Sequence, residues 1–254
     1  MTLRRCVFVG PSLSGFSPPS TVDFFSPASL GAIYKAYQEG YRLIGIVDGI
    51  FGDVPSVWHK EILHVIKNGA TVVGAASMGA LRASELDRCG MTGIGSIYRL
   101  CKRGSIMDDD EVCVLHGPAE LEFVPLTIAM IDIRLTLRQL RRQSHITYKQ
   151  ECSINKMMKD MHFSERTSDV LLTCIRQSTQ GLWTTELDQY QCLKNVIVSL
   201  KRIDAERLVD YLANNCFKNE VRTYHNYVET ENWRKIYQEE YALIPNLEKW
   251  RSSL

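Results

Sequence analysis

The stretch GATVVGAASMGALRASEL, residues 69–86, decides the fold, because a short apolar run passes directly into a helical pattern. Its first part is continuously apolar, which is typical of a strand that is covered on both faces. Its second part, from Met78 onwards, has the pattern of a helix. Ser77 stands at the junction between the two. The stretch therefore predicts one strand–helix unit of a parallel sheet.

The same pattern recurs through the first half of the chain. Ser29 and Ser56 are the expected N-caps of the two helices that precede this stretch, and Gly40 and Gly69 are the expected ends. Strands that alternate with helices over short connections predict an α/β fold, a doubly wound parallel sheet of the Rossmann or flavodoxin-like type. The further predicted strands are 4–10, 41–49 and 108–118, and the further predicted helices are 26–40, 55–69 and 93–104.

The second half of the chain has a helical pattern. No linker rich in proline or glycine separates it from the first half. We therefore predict an α/β core over residues 1–124 and a helical C-terminal subdomain over residues 125–254, packed on that core. The predicted helices are 125–143, 154–161, 168–180, 190–204, 205–217 and 231–241.

The composition argues against several classes of protein. The net charge of the 254 residues is +1, and neither half has the basic excess of a nucleic-acid binder. A run of about 18 apolar residues, which a membrane span requires, does not occur. The eight cysteines are spread singly and include no C-x-x-C pair. We expect most of them to be buried free thiols, as in a protein of a reducing compartment. We expect a cytoplasmic protein without metal or cofactor, in which the acidic run 108–111 is a solvated turn.

Polar residues follow the predicted strands at the points where those strands end. Gly10, Asp48, Ser77 and His116 come after the first, second, third and fourth predicted strand. The carboxyl ends of parallel strands share one edge of a sheet, and ligands bind outside that edge. The pattern therefore predicts a site that combines a carboxylate, a hydroxyl and an imidazole.

Two interpretations of Ser77 follow from its position. The sequence AASMG nearly fits the G-x-S-x-G turn of hydrolases, in which small neighbours expose a nucleophilic serine. The amides of Met78 and Gly10 would then donate hydrogen bonds to the developing oxyanion. Alternatively, Ser77 only caps the helix that follows it, as serines often do.

A histidine is needed to accept the proton of a nucleophilic serine. His59 lies in the first turn of its predicted helix, at the end nearest to Ser77, and Asp48 lies where it could orient the imidazole. His116 is an alternative base. Either histidine could instead donate only to backbone carbonyls.

Charged residues around these positions suggest supporting roles. Arg82, one turn into the helix after Ser77, could hold an anionic group or lie at the surface. Lys60 and Glu61 follow the candidate base and could support it. On the long helix after residue 125, a basic stripe could dock an acidic partner or simply be solvated. The stripe consists of Arg134, Arg138 and Arg141.

Four runs of the sequence together resemble the TfuA-like family, which is named for the trifolitoxin biosynthesis protein TfuA. The resemblance covers about residues 9–134, and the pairing of SVWHKE with ASMGALR is its most specific part. The runs are DGIFGDVPSVWHKEIL at 48–63, GAASMGALRASEL at 74–86, GMTGIG at 90–95 and DDDEVCVLHGPAE at 108–120.

The resemblance implies a role beside a YcaO protein, the enzyme that exchanges a backbone oxygen for sulfur and so forms thioamides. Members are thought to supply the sulfur, by releasing sulfide from a thiocarboxylated ThiS-like carrier. Such a release is an acyl-transfer hydrolysis, for which a serine, a base and oxyanion donors are suited. The alternative is a non-catalytic escort that presents the carrier or the precursor peptide to YcaO. A small-nucleotide binder follows from fold analogy alone, because the chain has no phosphate-binding motif.

Overall fold

The computed structural model describes residues 3–50, 54–179, 197–214, 231–235, 237 and 246–249. The chain forms two compact units, and each combines separate segments. The sheet unit consists of Met1–Met107, Pro118–Phe123 and Lys201–Leu254, and the helical unit consists of Asp108–Gly117 and Val124–Leu200. The sequence had predicted a single boundary after residue 124.

The sheet unit contains a sheet of five parallel strands, which confirms the predicted fold class. Their order is β2-β1-β3-β4-β5, so the chain moves outward from β1 in both directions. The strands are β1 (Arg4–Phe8), β2 (Asp23–Phe25), β3 (Tyr41–Ile46), β4 (Thr71–Gly74) and β5 (Thr92–Gly93).

The described helices follow the predicted order along the chain, and most have shorter bounds, whereas the helix predicted at 154–161 begins earlier, at Tyr148. They are α1 (Ala32–Gln38), α2 (His59–Lys67), α3 (Met78–Leu86), α4 (Gly95–Lys102), α5 (Met130–Arg142), α6 (Tyr148–Asp160), α7 (Ser168–Thr179), α8 (Leu200–Asn214) and α9 (Glu231–Arg234). The segment 200–214 is one helix, although the pattern predicted a break after residue 204. The predicted helical segments 190–196, 215–217 and 238–241 lie outside the described residues.

Helices cover both faces of the sheet, and the strand residues alternate between two apolar clusters. One cluster joins Phe8, Ile44 and Ile46 to α1, α2 and α3. The other joins strand residues such as Val7 and Leu43 to α8. This arrangement explains why the strands read as continuous apolar runs in the sequence.

The helical unit has its own core, built from the inner faces of α5, α6 and α7. The acidic run is tied into this unit, since Lys159 lies within ion-pair distance of Asp108, Asp110 and Glu111. The buried Arg166 also donates to the Asp110 carboxylate at 2.6 Å. The expectation of a solvated turn therefore holds for the exposed Asp108 and Asp109 and was wrong for the buried Glu111.

The prediction of a fourth strand at 108–118 was also wrong. Residues Asp109–Glu111 form a short 3-10 helix, and the carboxylates of Asp110 and Glu111 pair with Lys159. The strands β2 and β5 were missed, since three and two residues are too short for a periodic signal.

The predicted serine caps were wrong as well. Helix α1 has Gly31 as its N-cap, and α2 has Trp58. The carboxylate of Glu61 accepts hydrogen bonds from amides at the starts of both helices, so no serine hydroxyl is required there.

Among the described residues, no helix is long and apolar enough to cross a membrane.

Candidate functional site

The backbone between β4 and α3 makes an unusually tight turn. The amide of Ser77 donates to the carbonyl of Ala75 at 2.9 Å, and Ala76 between them has a φ of +65°. This is a γ-turn with a non-glycine residue in the left-handed region, which costs about 1–3 kcal/mol. Strain of this kind persists only where the surrounding structure holds it, and it is concentrated at functional sites.

Ser77 occupies the N-cap position of α3, but its hydroxyl does not cap the helix. Its residue is 2% exposed, and no helix amide donates to its hydroxyl. Helix α3 begins at Met78, whose amide is among the first N–H groups of the helix and so has no partner within it. The turn therefore leaves a serine hydroxyl beside the positive end of a helix. The hydrolase-like interpretation also predicted that this hydroxyl is exposed, and the burial of Ser77 shows that this part of the prediction was wrong.

Gly79 allows α3 to lie directly against the sheet. A Cβ atom at this position would overlap the carbonyl oxygen of Ile46 in β3. The Gly79 amide also donates to the Val47 carbonyl at 3.2 Å. The final glycine of the AASMG sequence therefore has a packing role that fixes the start of α3 to the neighbouring strand.

Asp48 organises the loop that follows β1. One carboxylate oxygen accepts from the amides of Gly10 at 2.9 Å and Ser12 at 3.0 Å, and the other accepts from the Ser12 hydroxyl at 2.7 Å. The structure thus brings Gly10 and Asp48 together. Because the Gly10 amide is used in this bond, it is not directed at a separate oxyanion in this conformation.

A buried lysine completes this polar group. Lys201 of α8 is 3% exposed, and its ammonium nitrogen lies 3.9 Å from an Asp48 oxygen. The sequence analysis missed Lys201, since nothing local marks it: it lies in an ordinary helical pattern far from Asp48 along the chain. The pairing neutralises a carboxylate that would otherwise be a costly buried charge.

His59 is bound to a carboxylate that the sequence analysis did not single out. Its Nε2 lies 2.7 Å from Glu85 on α3, and the two side chains are 46% and 44% exposed. Within the part of the chain that the structure describes, no hydrogen bond joins Asp48 to His59 or either side chain to Ser77. The i,i+3 spacing of Glu85 from Arg82 was the one available signal for Glu85.

Arg82 links α3 to the segment before α2. Its guanidinium donates to the Val57 carbonyl at 3.0 Å, to Glu85 at 2.9 Å and to the Ser56 hydroxyl at 3.3 Å. Partial burial alone would raise the pKa of Glu85, but the bonds from His59 and Arg82 hold that pKa below its ordinary value. Arg82 is therefore part of an internal network, in which each of its three nitrogens donates one hydrogen bond.

Glu61 has a capping role. It is fully buried, and its two oxygens accept from the amides of Gly31, Ile33, Tyr34 and Trp58. Burial raises its pKa to about 7, although the amide donors oppose that rise. Lys60 beside it is half-buried.

The remaining predicted residues lie in the helical unit. His116 is not on a strand of the sheet, and its Nδ1 donates to the Gly117 carbonyl at 2.7 Å. Arg134 makes a bidentate pair with Glu111 at 2.8 and 2.9 Å, and Arg141 pairs with Glu151. Of the basic stripe, Arg138 is the exposed member. The prediction that His116 follows a strand of the sheet was therefore wrong.

In the described part of the chain, no three histidine, cysteine, aspartate or glutamate side chains are grouped so as to hold a metal ion. Instead, Ser12, Asp48, Ser77 and Lys201 are all buried polar residues of the sheet unit. Together with the strained turn, they define a doubly wound α/β protein with a serine at a strand–turn–helix junction.

Comparison with known protein families gives a match over part of the chain. A family model described as TfuA-like protein matches residues 48–167. This match confirms the resemblance drawn from the motifs, and the chain contains a TfuA-like domain that spans a little under half of its length. Both SVWHKE and ASMGALR lie inside the match, and Arg82 joins them physically through its bonds to Ser56 and Val57. No curated protein matches the sequence.

Proposed function

We propose that this protein supplies sulfur to a YcaO enzyme that forms peptide thioamides, by hydrolysing the thiocarboxylated C-terminus of a ThiS-like carrier. The TfuA-like match supports the partnership. The observation that supports the chemistry is the γ-turn at Ala76, which places Ser77 at the start of α3 with its hydroxyl not bonded to a helix amide.

The reaction has two steps. The Ser77 oxygen attacks the thiocarboxylate carbon, His59 takes the hydroxyl proton, and the first amide of α3, at Met78, donates to the oxyanion. The C–S bond then breaks, and the proton passes to the departing sulfur, which leaves as hydrosulfide. Water cleaves the resulting ester, which regenerates the serine and releases the carrier carboxylate.

The proposal is tested by mixing the purified chain with thiocarboxylated carrier and measuring sulfide. Ser77→Ala should reduce the rate by about 100-fold or more, since the nucleophile is lost. Ser84→Ala is the matched control, because this serine lies in the same helix and its hydroxyl donates only to the Leu81 carbonyl. Undiminished release by Ser77→Ala would contradict the hydrolytic role.

One observation favours the escort as a second candidate. Asp48 is held by the loop after β1 and His59 by Glu85, so neither is bonded to Ser77 in this conformation. An escort would bind carrier and YcaO without turnover, and Ser77→Ala would be harmless. Because Arg134 and Arg141 are paired internally, the docking test is Arg138→Glu, which weakens partner binding only if the exposed stripe is the docking surface.

A further inference from the structure

His59, Glu85 and Arg82 form a connected group in the sheet unit. His59 Nε2 and Arg82 Nη1 both contact the same oxygen of Glu85, at 2.7 and 2.9 Å. The imidazole is the first residue of α2, and the other two side chains lie on α3, the helix that begins after Ser77. The group therefore links the candidate base to the helix of the candidate nucleophile.

The chemistry of the partners assigns the proton on His59. Glu85 is a carboxylate at neutral pH, because its pKa is lowered, and a carboxylate only accepts hydrogen bonds. The hydrogen in the bond between His59 and Glu85 must then be on Nε2. In the neutral ring this leaves the lone pair on Nδ1, the nitrogen that can take a proton from a substrate or a nucleophile.

Arg82 fixes the carboxylate in place. A half-exposed acid–base pair on its own is loosely held and contributes little. Here the guanidinium also donates to the Val57 carbonyl at 3.0 Å, two residues before α2 begins, and its side chain is 16% exposed. Glu85 is therefore held against the same segment of chain that carries His59.

We propose that Glu85 is the positioning residue for His59, in the role that the sequence assigned to Asp48; this inference rests on the proposed function. Glu85 keeps Nε2 protonated and stabilises the imidazolium that forms when Nδ1 takes the Ser77 proton. That proton then leaves with the sulfur, and Glu85 stays ionised throughout.

The kinetic test compares Glu85→Gln with Glu206→Gln. Glu206 is a matched control, because it forms a similarly exposed pair with Arg202 at 2.9 Å elsewhere in the sheet unit. Glu85→Gln should release sulfide about 10-fold more slowly or worse, and its pH–rate profile should change, since the carboxylate that faces the imidazole is removed. Glu206→Gln should keep the wild-type rate and profile.

A second measurement does not depend on turnover. Carbon NMR of the Glu85 carboxyl should show its titration midpoint rising in His59→Gln, because the imidazole helps to lower the pKa of Glu85. His162→Gln, a change in the helical unit, should leave that midpoint unchanged.

The outcomes separate the two claims. A wild-type rate and profile in Glu85→Gln, with sulfide release impaired in His59→Gln, would overturn the inference and leave the proposed function standing. An unmoved Glu85 midpoint in His59→Gln would also overturn the inference. Undiminished release by Ser77→Ala would overturn the proposed function itself.

Discussion

The hydroxyl of Ser12 donates a 2.7 Å hydrogen bond to Asp48, and both side chains are almost completely buried. The same carboxylate accepts two backbone amides of the loop after β1, and Lys201 lies 3.9 Å away. The Asp48 carboxylate, just after β3, thus connects the loop after the neighbouring strand β1 with helix α8, which lies far along the chain. Asp48 is therefore a structural centre of the sheet edge.

Asp48→Ala should lower the free energy of unfolding by about 3 kcal/mol, because it leaves two loop amides unpaired and removes a carboxylate from beside the buried Lys201. Ser12→Ala removes only one of the three hydrogen bonds to that carboxylate and should cost about 1 kcal/mol. Urea unfolding of both variants measures the two costs. A change below about 0.5 kcal/mol for Asp48→Ala would contradict this role.

Glu61 should make the stability of the sheet unit depend on pH. Its pKa is about 7 in the folded protein, against an ordinary value of 4.5. Between about pH 4.5 and pH 7, the folded protein therefore keeps a proton on Glu61 that the unfolded chain has lost. The contribution of this group to the free energy of unfolding is largest below about pH 4.5, and it falls as the pH rises to about 7. Above that value its contribution should be constant.

Comparison with Glu61→Gln isolates this effect, because glutamine does not titrate. The free energy of unfolding of the wild type relative to the variant, from urea titrations at pH 5, 6, 7 and 8, should decrease with rising pH. A difference that stays constant or grows over this range would show that the buried carboxyl is already ionised at pH 5.

Arg166 should be essential to the helical unit. It is 1% exposed, and its guanidinium donates to the Asp110 carboxylate and to the carbonyls of Met158, Met161 and Asp110. Arg166→Lys keeps the charge but cannot reproduce this fan of donors, so it should cost about 2–4 kcal/mol. Hydrogen exchange in α6 and α7 would measure the loss, and the exposed Arg138→Lys should show almost none.

Gly79 should not tolerate a side chain. Alanine there would drive a methyl group into the carbonyl oxygen of Ile46, so α3 would have to move away from the sheet. Gly79→Ala should therefore lose at least about 3 kcal/mol or fail to fold, whereas Ser84→Ala in the same helix should stay within about 0.5 kcal/mol. A crystal structure of a stable Gly79→Ala variant with α3 unmoved would contradict the packing argument.

The sequence was most informative where local pattern determines structure. The long apolar runs predicted β1, β3 and β4, and the small residues around Ser77 predicted the strand–turn–helix junction. The prediction of a strand at 108–118 was wrong because valine, cysteine and leucine in this run are typical of a strand. The acidic residues before them pair with Lys159, which is distant along the chain and could not be identified from the local sequence.

Side-chain pairing could not be read from the sequence. Strand order alone placed Asp48 at the correct edge of the sheet, but its partner is the nearer Ser12 hydroxyl, not an imidazole. His59 was predicted in the first turn of its helix, where the structure has it, but its bond goes to Glu85, two turns along the next helix. Which side chains become hydrogen-bond partners depends on how the helices and strands pack, and the hydrophobic periodicity of the sequence does not define that packing.

The most direct test of the central claim is to look for the ester on Ser77. The chain is mixed with thiocarboxylated carrier, quenched within milliseconds to seconds, and analysed by intact and peptide mass spectrometry. We expect a covalent adduct equal to the carrier acyl group on the peptide that contains Ser77, absent in Ser77→Ala and retained in Ser84→Ala. If the wild-type chain releases sulfide at full rate but shows no adduct on Ser77 at any quench time, the proposed ester intermediate is contradicted.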